Sequence, residues 1–451
     1  MQQVINPFDQ SVVGEVQYDT LDTIKAKIAT AKAFIPAEAT DDLEERLEAM
    51  ARFRTRFQDD IEKAASLLAS QTGKPVSQAR GEIQASDARI AYFMEQVPAL
   101  IQATTVTEGA TQEEKSYQPL GVVANISAWN YPFFIGLNVI VPALLAGNAV
   151  LYKASEFCPL TAELIAEQLW DSGFSRDQFI LVQGGGKEGQ MLLEQDINGV
   201  FFTGSSATGT AIAKQMAGRM VKVQMELGGK DPSYVTENVD VKAVAQGLAD
   251  GAFYNAGQSC CAVERIYVHQ SIAEEFISHF KAEVECFKFG DPQDDSTYLG
   301  PLTRAAQIEV LQAQVQDAVE KGATVICGGE ADARTGFFQP TVLTHVNHGM
   351  SVMQEESFGP IIGIMTVESD EEAQRLMADT EYGLTAGVFC QDQQRARDIL
   401  KPLKTGTAYI NVCDRVSPYV PWTGRKQSGL GSTLGHEGVF AFVHPRSWQI
   451  R

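Results

Sequence analysis

The chain has 451 residues, too many for one hydrophobic core, so two or three domains are expected. A hydrophobic fraction of 44% with 21% charged residues is that of an ordinary globular protein, and a formal net charge of −21 argues against a phosphate-backbone partner such as nucleic acid. Seven cysteines without a C-x-x-C pair and six histidines without an H-x-x-x-H pair signal neither a disulfide framework nor a metal centre, and free thiols on this scale suit a reducing cytoplasm.

Residues 1–20 read as an edge strand with turns near Pro7 and Gly14, without the basic and apolar stretches of a signal peptide. From Leu21 to Leu100 the pattern is helical; Leu43, Leu47 and Met50 recur at i, i+4 and i+7 and give one apolar face. Residues 102–118 are polar and Thr-rich, as in an exposed ribbon. The most apolar run, 131–147, is interrupted by Gly136, Asn138 and Pro142 and is shorter than the ~20 residues of a membrane span, so it is expected to be a buried helix.

Strands at 121–126, 149–152, 179–182, 200–202 and 221–225 alternate with helices at 134–146, 160–170, 189–194 and 207–216. This alternation predicts a parallel, doubly wound sheet that binds its ligand at the C-terminal strand ends. After Gly229 a second unit follows, with strands at 265–269, 324–327, 386–389 and 407–411 and helices at 272–287, 306–321 and 371–377. Residues 440–451 alternate again and are expected to pair with the 102–118 ribbon. The expected class is α/β: a Rossmann-like doubly wound cofactor domain (1–101 and 119–228), a second α/β catalytic domain (229–428) and a small β arm (102–118 and 440–451).

Glu226-Leu227-Gly228-Gly229-Lys230 and Gly257-Gln258-Ser259-Cys260-Cys261 set a carboxylate and a thiol in glycine-rich turns, the types needed for a nucleophile and a base. Gly184, Gly186 and Gly189 fit G-x-G-x-x-G, but no acidic residue follows at the right distance, and a glycine-rich strand-to-helix turn explains them more simply. Gly204, Ser205 and Gly209 leave a strand and open a helix, whose free N–H groups suit a phosphate. Lys153 and Glu156 sit past a strand end, where an ammonium and a carboxylate suit ribose hydroxyls and the carboxylate disfavours a 2′-phosphate. Asn130 brings an amide donor to the same edge, suited to a developing oxyanion.

Trp129-Asn130-Tyr131-Pro132, Lys153-x-Ser155-Glu156, Phe202-Thr203-Gly204-Ser205, Glu226 to Lys230, Gly257-Gln258-x-Cys260, Glu355 to Pro360 and Gly424 to Gly431 stand in one order and spacing. In that order and spacing, across essentially the whole chain, the sequence resembles the aldehyde dehydrogenase superfamily. The resemblance implies an NAD(P)-dependent, non-acylating aldehyde dehydrogenase, with NAD favoured by Glu156 and no metal. It implies Cys260 as nucleophile, Glu226 as general base, and the Asn130 amide with the Cys260 N–H as oxyanion hole. Lys153 and Glu156 would hold the adenosine ribose, Gly204 and Ser205 the pyrophosphate, and Glu356 the nicotinamide ribose, with Phe358 beside the ring. Gly209, Ile126, Trp129 and Leu227 complete the expected cofactor-binding set. The β arm would join a homodimer or homotetramer.

The chain departs from the resemblance at Val139, where many relatives carry Lys, and Cys261 adds a vicinal thiol. Tyr131, Ile135, Asn138 and Tyr254 are expected near substrate entry, and no arginine in those stretches is placed to clamp a carboxylate. A semialdehyde or another small or medium aldehyde is the expected substrate. The rival readings are a CoA-acylating enzyme, which Glu226 disfavours, a thiol esterase, and a non-catalytic scaffold of the same fold, which the intact Cys260, Glu226 and Asn130 disfavour.

Overall fold

The computed structural model describes residues 1–332 and 335–451. Four helices, Leu21–Ala33, Leu43–Asp59, Ile61–Thr72 and Val76–Leu100, precede the first large sheet. The strands Val122–Ile126 and Ala149–Lys153 are buried at every residue, and near-continuous apolar runs of this kind are what a parallel sheet covered on both faces requires. The sheet order is Gly429–Leu430, Lys222–Glu226, Gly199–Thr203, Val122–Ile126, Ala149–Lys153, Phe179–Leu181. All pairs are parallel except that of the outermost Gly429–Leu430, which returns from late in the chain to run antiparallel against Lys222–Glu226.

The chain winds outward from Val122–Ile126 to Phe179–Leu181, then reverses and lays Gly199–Thr203 on the other side of Val122–Ile126. That reversal opens a crevice past the C-terminal ends of the two adjacent strands. The helix Pro132–Leu145 follows at once and is apolar on nearly all sides. It packs against Val76–Leu100, which accounts for its hydrophobicity without a bilayer. Among the described residues no helix is long and apolar enough to cross a membrane.

The second large sheet has the order Thr324–Cys327, Thr341–Thr344, Ile361–Val367, Arg265–His269, Pro232–Val235, Thr385–Phe389, Thr407–Ile410. Three of these strands were not expected from the sequence. Pro232 opens a central strand at its first residue, where its missing N–H is tolerated, and Gly363 interrupts the pattern of Ile361–Val367. The helix Val241–Phe253 was also missed; Gly251 lies in it because a Cβ there would meet the Cys413 Sγ at 2.5 Å. The expected ribbon pairing is present: Val443–Ile450 runs antiparallel to Thr111–Pro119, and Thr104–Glu108 forms the exposed outer edge.

One buried carboxylate joins three loops at the rim of the second sheet. Glu264 Oε2 accepts from Lys230 Nζ at 2.5 Å, and Glu264 Oε1 accepts from the backbone N–H of Phe358 at 3.0 Å. The N–H of Ser357 also donates to this carboxylate, and the Ser357 hydroxyl accepts from Lys230 Nζ at 3.0 Å. Burial pushes the Lys230 ammonium below its ordinary value while Glu264 pulls it back. Removing one member of a buried pair strands the other charge. Glu264→Leu is therefore expected to lower the unfolding free energy by about 3–5 kcal/mol, measured by urea titration; a loss under ~1 kcal/mol contradicts this account.

Candidate active site

Past helix Val241–Phe253 the backbone turns sharply: Asn255, Ala256 and Gly257 take φ of 53°, 54° and 68° in succession. Left-handed φ costs a non-glycine residue of order 1 kcal/mol or more, so the surroundings must hold this turn in place. They do so with hydrogen bonds. The Asn255 N–H donates to Gln78 Oε1 at 2.9 Å, and its side-chain amide donates to the carbonyls of Asn130 and Gln258 at 3.3 and 3.2 Å. At Gly257 a Cβ would lie 2.4 Å from the Gly359 carbonyl oxygen, so close approach as well as φ requires glycine. The turn delivers Cys260 half-buried.

Asn130 is buried, and its Nδ2 donates to the Gln258 carbonyl at 3.0 Å. One amide hydrogen is used there, which leaves the second for a ligand beside the nucleophile loop. A remote carboxylate positions this segment. Tyr131, the N-cap of Pro132–Leu145, makes no side-chain cap, and Glu82 Oε1 instead accepts from the N–H groups of Phe133 at 2.9 Å and Phe134 at 3.4 Å. Glu82 is itself paired with the buried Lys74, whose ammonium lies 3.8 Å from the Tyr131 ring centroid.

Glu226 ends the strand Lys222–Glu226, and Gly229, three residues on, packs so closely that a Cβ would meet the Cys260 carbonyl oxygen at 2.8 Å. The Glu226–Lys230 and Cys260 loops are thus in direct contact. Burial pushes the Glu226 carboxyl up to about 7; a hydrogen bond from the Thr433 hydroxyl and the Arg89 guanidinium oppose the rise. Thr433 was not found in the sequence, since nothing in its local pattern marks a residue 207 positions away as the partner of Glu226. Cys261 differs from its neighbour. Its thiol is pushed well up by the hydrogen bond it shares with Cys260, by burial and by Asp414, whose Oδ1 accepts from it at 3.1 Å. Cys261 therefore stays protonated and makes a poor nucleophile.

The crevice at the strand reversal is a cleft of about 900 Å³, and Ile126, Trp129, Lys153, Glu156, Gly204 and Ser205 are among its lining residues. Ser205 caps helix Ser206–Met216 by accepting from the Thr208 N–H at 3.3 Å. The Lys153 ammonium is buried, and Glu156 Oε2 lies 3.6 Å from it, beyond hydrogen-bond distance, so both retain capacity for hydroxyls. Ammonium, carboxylate and capped helix N-terminus form a donor set that fits a dinucleotide.

Gly209 is placed otherwise than expected. It is buried, a Cβ there would meet Leu227 Cδ2 at 2.5 Å, and it is not among the lining residues, so Gly209 and Leu227 seat the helix on the strand end. The Gly184–Gly189 turn, set aside in the sequence, borders the cleft through Gly185, Gly186 and Gly189, and a Cβ at Gly186 or Gly189 would meet nothing within 4 Å. Arg304, an exposed residue from far along the chain, lines the cleft as well.

Glu356 packs on the Gly228–Gly229 turn, and Phe358 packs on Trp129 of the cleft wall. A Cβ on Gly228 would lie 2.2 Å from Glu356 Oε2, and the Gly229 N–H donates to Glu356 Oε1 at 3.2 Å. Burial, with the nearby Glu264 charge, pushes the Glu356 carboxyl up to about 8. Phe358, at φ 46°, packs edge-on to Trp129 with ring centroids 5.7 Å apart, which joins it to the cleft wall.

The sign of the Glu226 shift gives a test. A base works ionised, so the acid limb of the pH–rate profile should turn near pH 7. Because the Thr433 hydroxyl favours the ionised carboxylate, Thr433→Val should move that limb to higher pH by about 0.5–1 unit, with the plateau retained. A pH profile with an unmoved limb contradicts the role given to Thr433.

Residues 1–447 match the model of the aldehyde dehydrogenase family. A Deinococcus radiodurans protein, succinate-semialdehyde dehydrogenase [NADP(+)], is 32% identical over 98% of this chain and 93% of its own. The crystal structure of an E. coli NADP-dependent enzyme superposes with a TM-score of 0.96 at 30% identity, covering 100% of this chain and 94% of that one. An NAD-dependent aldehyde dehydrogenase from Sinorhizobium meliloti gives 0.95 at 30% identity, covering 100% of this chain and 91% of that one. Matched by the family model over residues 1–447 and by relatives of 30% identity or more along nearly its whole length, the chain belongs to the aldehyde dehydrogenase family, whose members oxidise aldehydes with NAD(P).

Proposed function

We propose that the chain oxidises an aldehyde to its carboxylic acid through a covalent intermediate on Cys260. The observation that carries this reading is the contact between the Glu226–Lys230 and Cys260 loops, with the Glu226 carboxyl held near 7 and the Asn130 amide on the adjoining carbonyl. The Cys260 thiolate attacks the carbonyl carbon, and the resulting oxyanion takes the free Asn130 N–H and a backbone N–H. Nicotinamide, when bound in the cleft, supplies the acceptor for the aldehydic hydride. Cys260 is left as a thioester. Glu226 then takes a proton from water, the hydroxide adds to the acyl carbon, and the Cys260 thiolate leaves as the acid is released. Lys153 and Glu156 would hold the adenosine ribose, Gly204 and Ser205 the pyrophosphate, and Glu356 the second ribose. Because its carboxyl is raised, Glu356 can donate as well as accept there.

Glu156 supports a preference for NAD, since its partly exposed carboxylate at the cleft would repel a 2′-phosphate. The Deinococcus relative is named for NADP(+) and for succinate semialdehyde, which supports a semialdehyde substrate and makes the cofactor comparison direct. Seven free cysteines support a reducing compartment such as the cytoplasm. Glu226→Gln should give one stoichiometric burst of reduced cofactor and then lose turnover by at least a hundredfold, followed by stopped-flow absorbance with each cofactor. Loss of the burst as well assigns Glu226 to thiol activation, and a larger kcat/KM with NADP removes the reading of Glu156.

The ribbon supports self-association. Its outer strand Thr104–Glu108 is exposed at every residue, Val106 is 66% exposed, and an unpaired edge of this kind invites another strand. Light scattering at micromolar concentration should return a dimer or tetramer mass; a monomer excludes this role for the ribbon.

A further inference from the structure

Arg89 lies on helix Val76–Leu100, outside every stretch the sequence connected with substrate, and it is only 3% exposed. Its guanidinium stacks 3.7 Å from the Phe134 ring centroid, and the Phe134 ring stacks on Tyr131 at 5.8 Å. Tyr131 directly follows Asn130, whose carbonyl accepts from the Asn255 amide in the turn that leads to Cys260. A continuous wall thus runs from the nucleophile loop through Tyr131 and Phe134 to a buried cation.

That cation is poorly satisfied. The Arg89 Nη1 and Nη2 donate to the carbonyls of Ala85 and Val416 at 3.3 and 3.4 Å, the far end of the hydrogen-bond range, and Nε is buried with no partner among the described residues. The nearby carboxylates are engaged elsewhere. Glu82 is held by Lys74 and two backbone N–H groups, Glu226 by Thr433, and Asp414 by Ser259 and Cys261. Burial lowers the guanidinium only to about 10, so it remains charged at neutral pH. A buried, charged, five-donor fork with open capacity at the end of an apolar wall matches a carboxylate.

We propose that Arg89 receives the far carboxylate of the substrate and selects short aldehydes that carry an acid at the opposite end. This rests on the oxidation proposed above and names the residue that sets its substrate class. The carboxylate would be supplied by substrate and not by the protein, which explains why the fold leaves Nε open. The stretches expected near substrate entry hold no such arginine; helix packing brings Arg89 to the wall from outside them, and its sequence position gave no sign of it.

The test pairs succinate semialdehyde with butanal, equal in carbon number and differing in the terminal carboxylate. Assayed at pH 9, where Glu226 is ionised with or without the Arg89 guanidinium, Arg89→Gln should raise KM for succinate semialdehyde at least tenfold while KM for butanal stays within twofold. Calorimetry on the cofactor-free protein should show succinate binding that Arg89→Gln abolishes. Should Arg89→Gln fail to fold, Arg89→Lys keeps a cation without the fork and should weaken succinate binding severalfold with butanal unchanged. Equal losses on both aldehydes, or wild-type protein that neither binds succinate nor prefers the acid-bearing aldehyde, overturns the proposal. Turnover of butanal in that case leaves the oxidation itself standing. Absence of turnover on either aldehyde removes the oxidation, while the succinate measurement still decides Arg89.

Discussion

The site depends on the Glu264 carboxylate. Three loops distant in sequence carry the groups that the proposed reaction brings together: Glu226–Lys230 the carboxylate, 257–261 the thiol, and 355–360 Glu356 and Phe358. Glu226 ends a strand, but the rest of these stretches has no strand or α-helix to hold it there. Glu264 lies three residues past Cys261, takes Lys230 from the first loop and the N–H groups of Ser357 and Phe358 from the third, and so fixes all three. Buried ion pairs are weak sources of stability, because desolvation offsets their Coulomb attraction. Here the pair serves position: Phe358 is held at a φ of 46° that a bulky side chain seldom adopts, and the held loop keeps Glu356 against Gly228.

Lys74 and Glu82 do comparable work on the opposite wall. The helix Pro132–Leu145 begins without a cap of its own, because the segment before it is occupied by Asn130 and Tyr131 facing the site. Its free N–H groups would be costly to bury unpaired. Glu82, from a different helix, accepts from two of them, and Lys74 neutralises Glu82 while stacking on Tyr131. One ion pair thus caps a helix and orients the ring that leads toward Arg89. In both walls remote carboxylates do what local capping does in an ordinary helix, which frees the local residues for chemistry.

Much of this was legible in the sequence, and the boundary of legibility has a physical cause. Strands buried on both faces declare themselves by apolar runs, so the first sheet was read nearly strand for strand, and its winding follows from the alternation. The ribbon pairing followed from two alternating polar segments. Strands that begin at Pro232 or contain Gly363 break that pattern for reasons of packing, and they were missed. In the site, residues in glycine-rich turns stood out because such turns are locally unusual. Thr433, Arg304 and Arg89 did not, since each sits in an ordinary local context and is brought in only by tertiary packing. Gly209 shows the converse: a glycine that looked like a phosphate-loop residue serves helix seating against Leu227.

The vicinal thiols show how little separates a nucleophile from an inert neighbour. Cys260 and Cys261 share a loop, yet the turn leaves Cys260 half-buried at the meeting of the loops and drives Cys261 into the core beside Asp414. There the hydrogen bond shared with Cys260, the lack of solvent and a carboxylate at 3.1 Å all disfavour a thiolate. The same burial works in the opposite functional sense on Glu226, where a raised pKa makes a better base at neutral pH. Desolvation therefore silences one group and tunes another, and what decides between them is the partners each is given: Cys260 and a carboxylate for the thiol, a hydroxyl and a guanidinium for the acid.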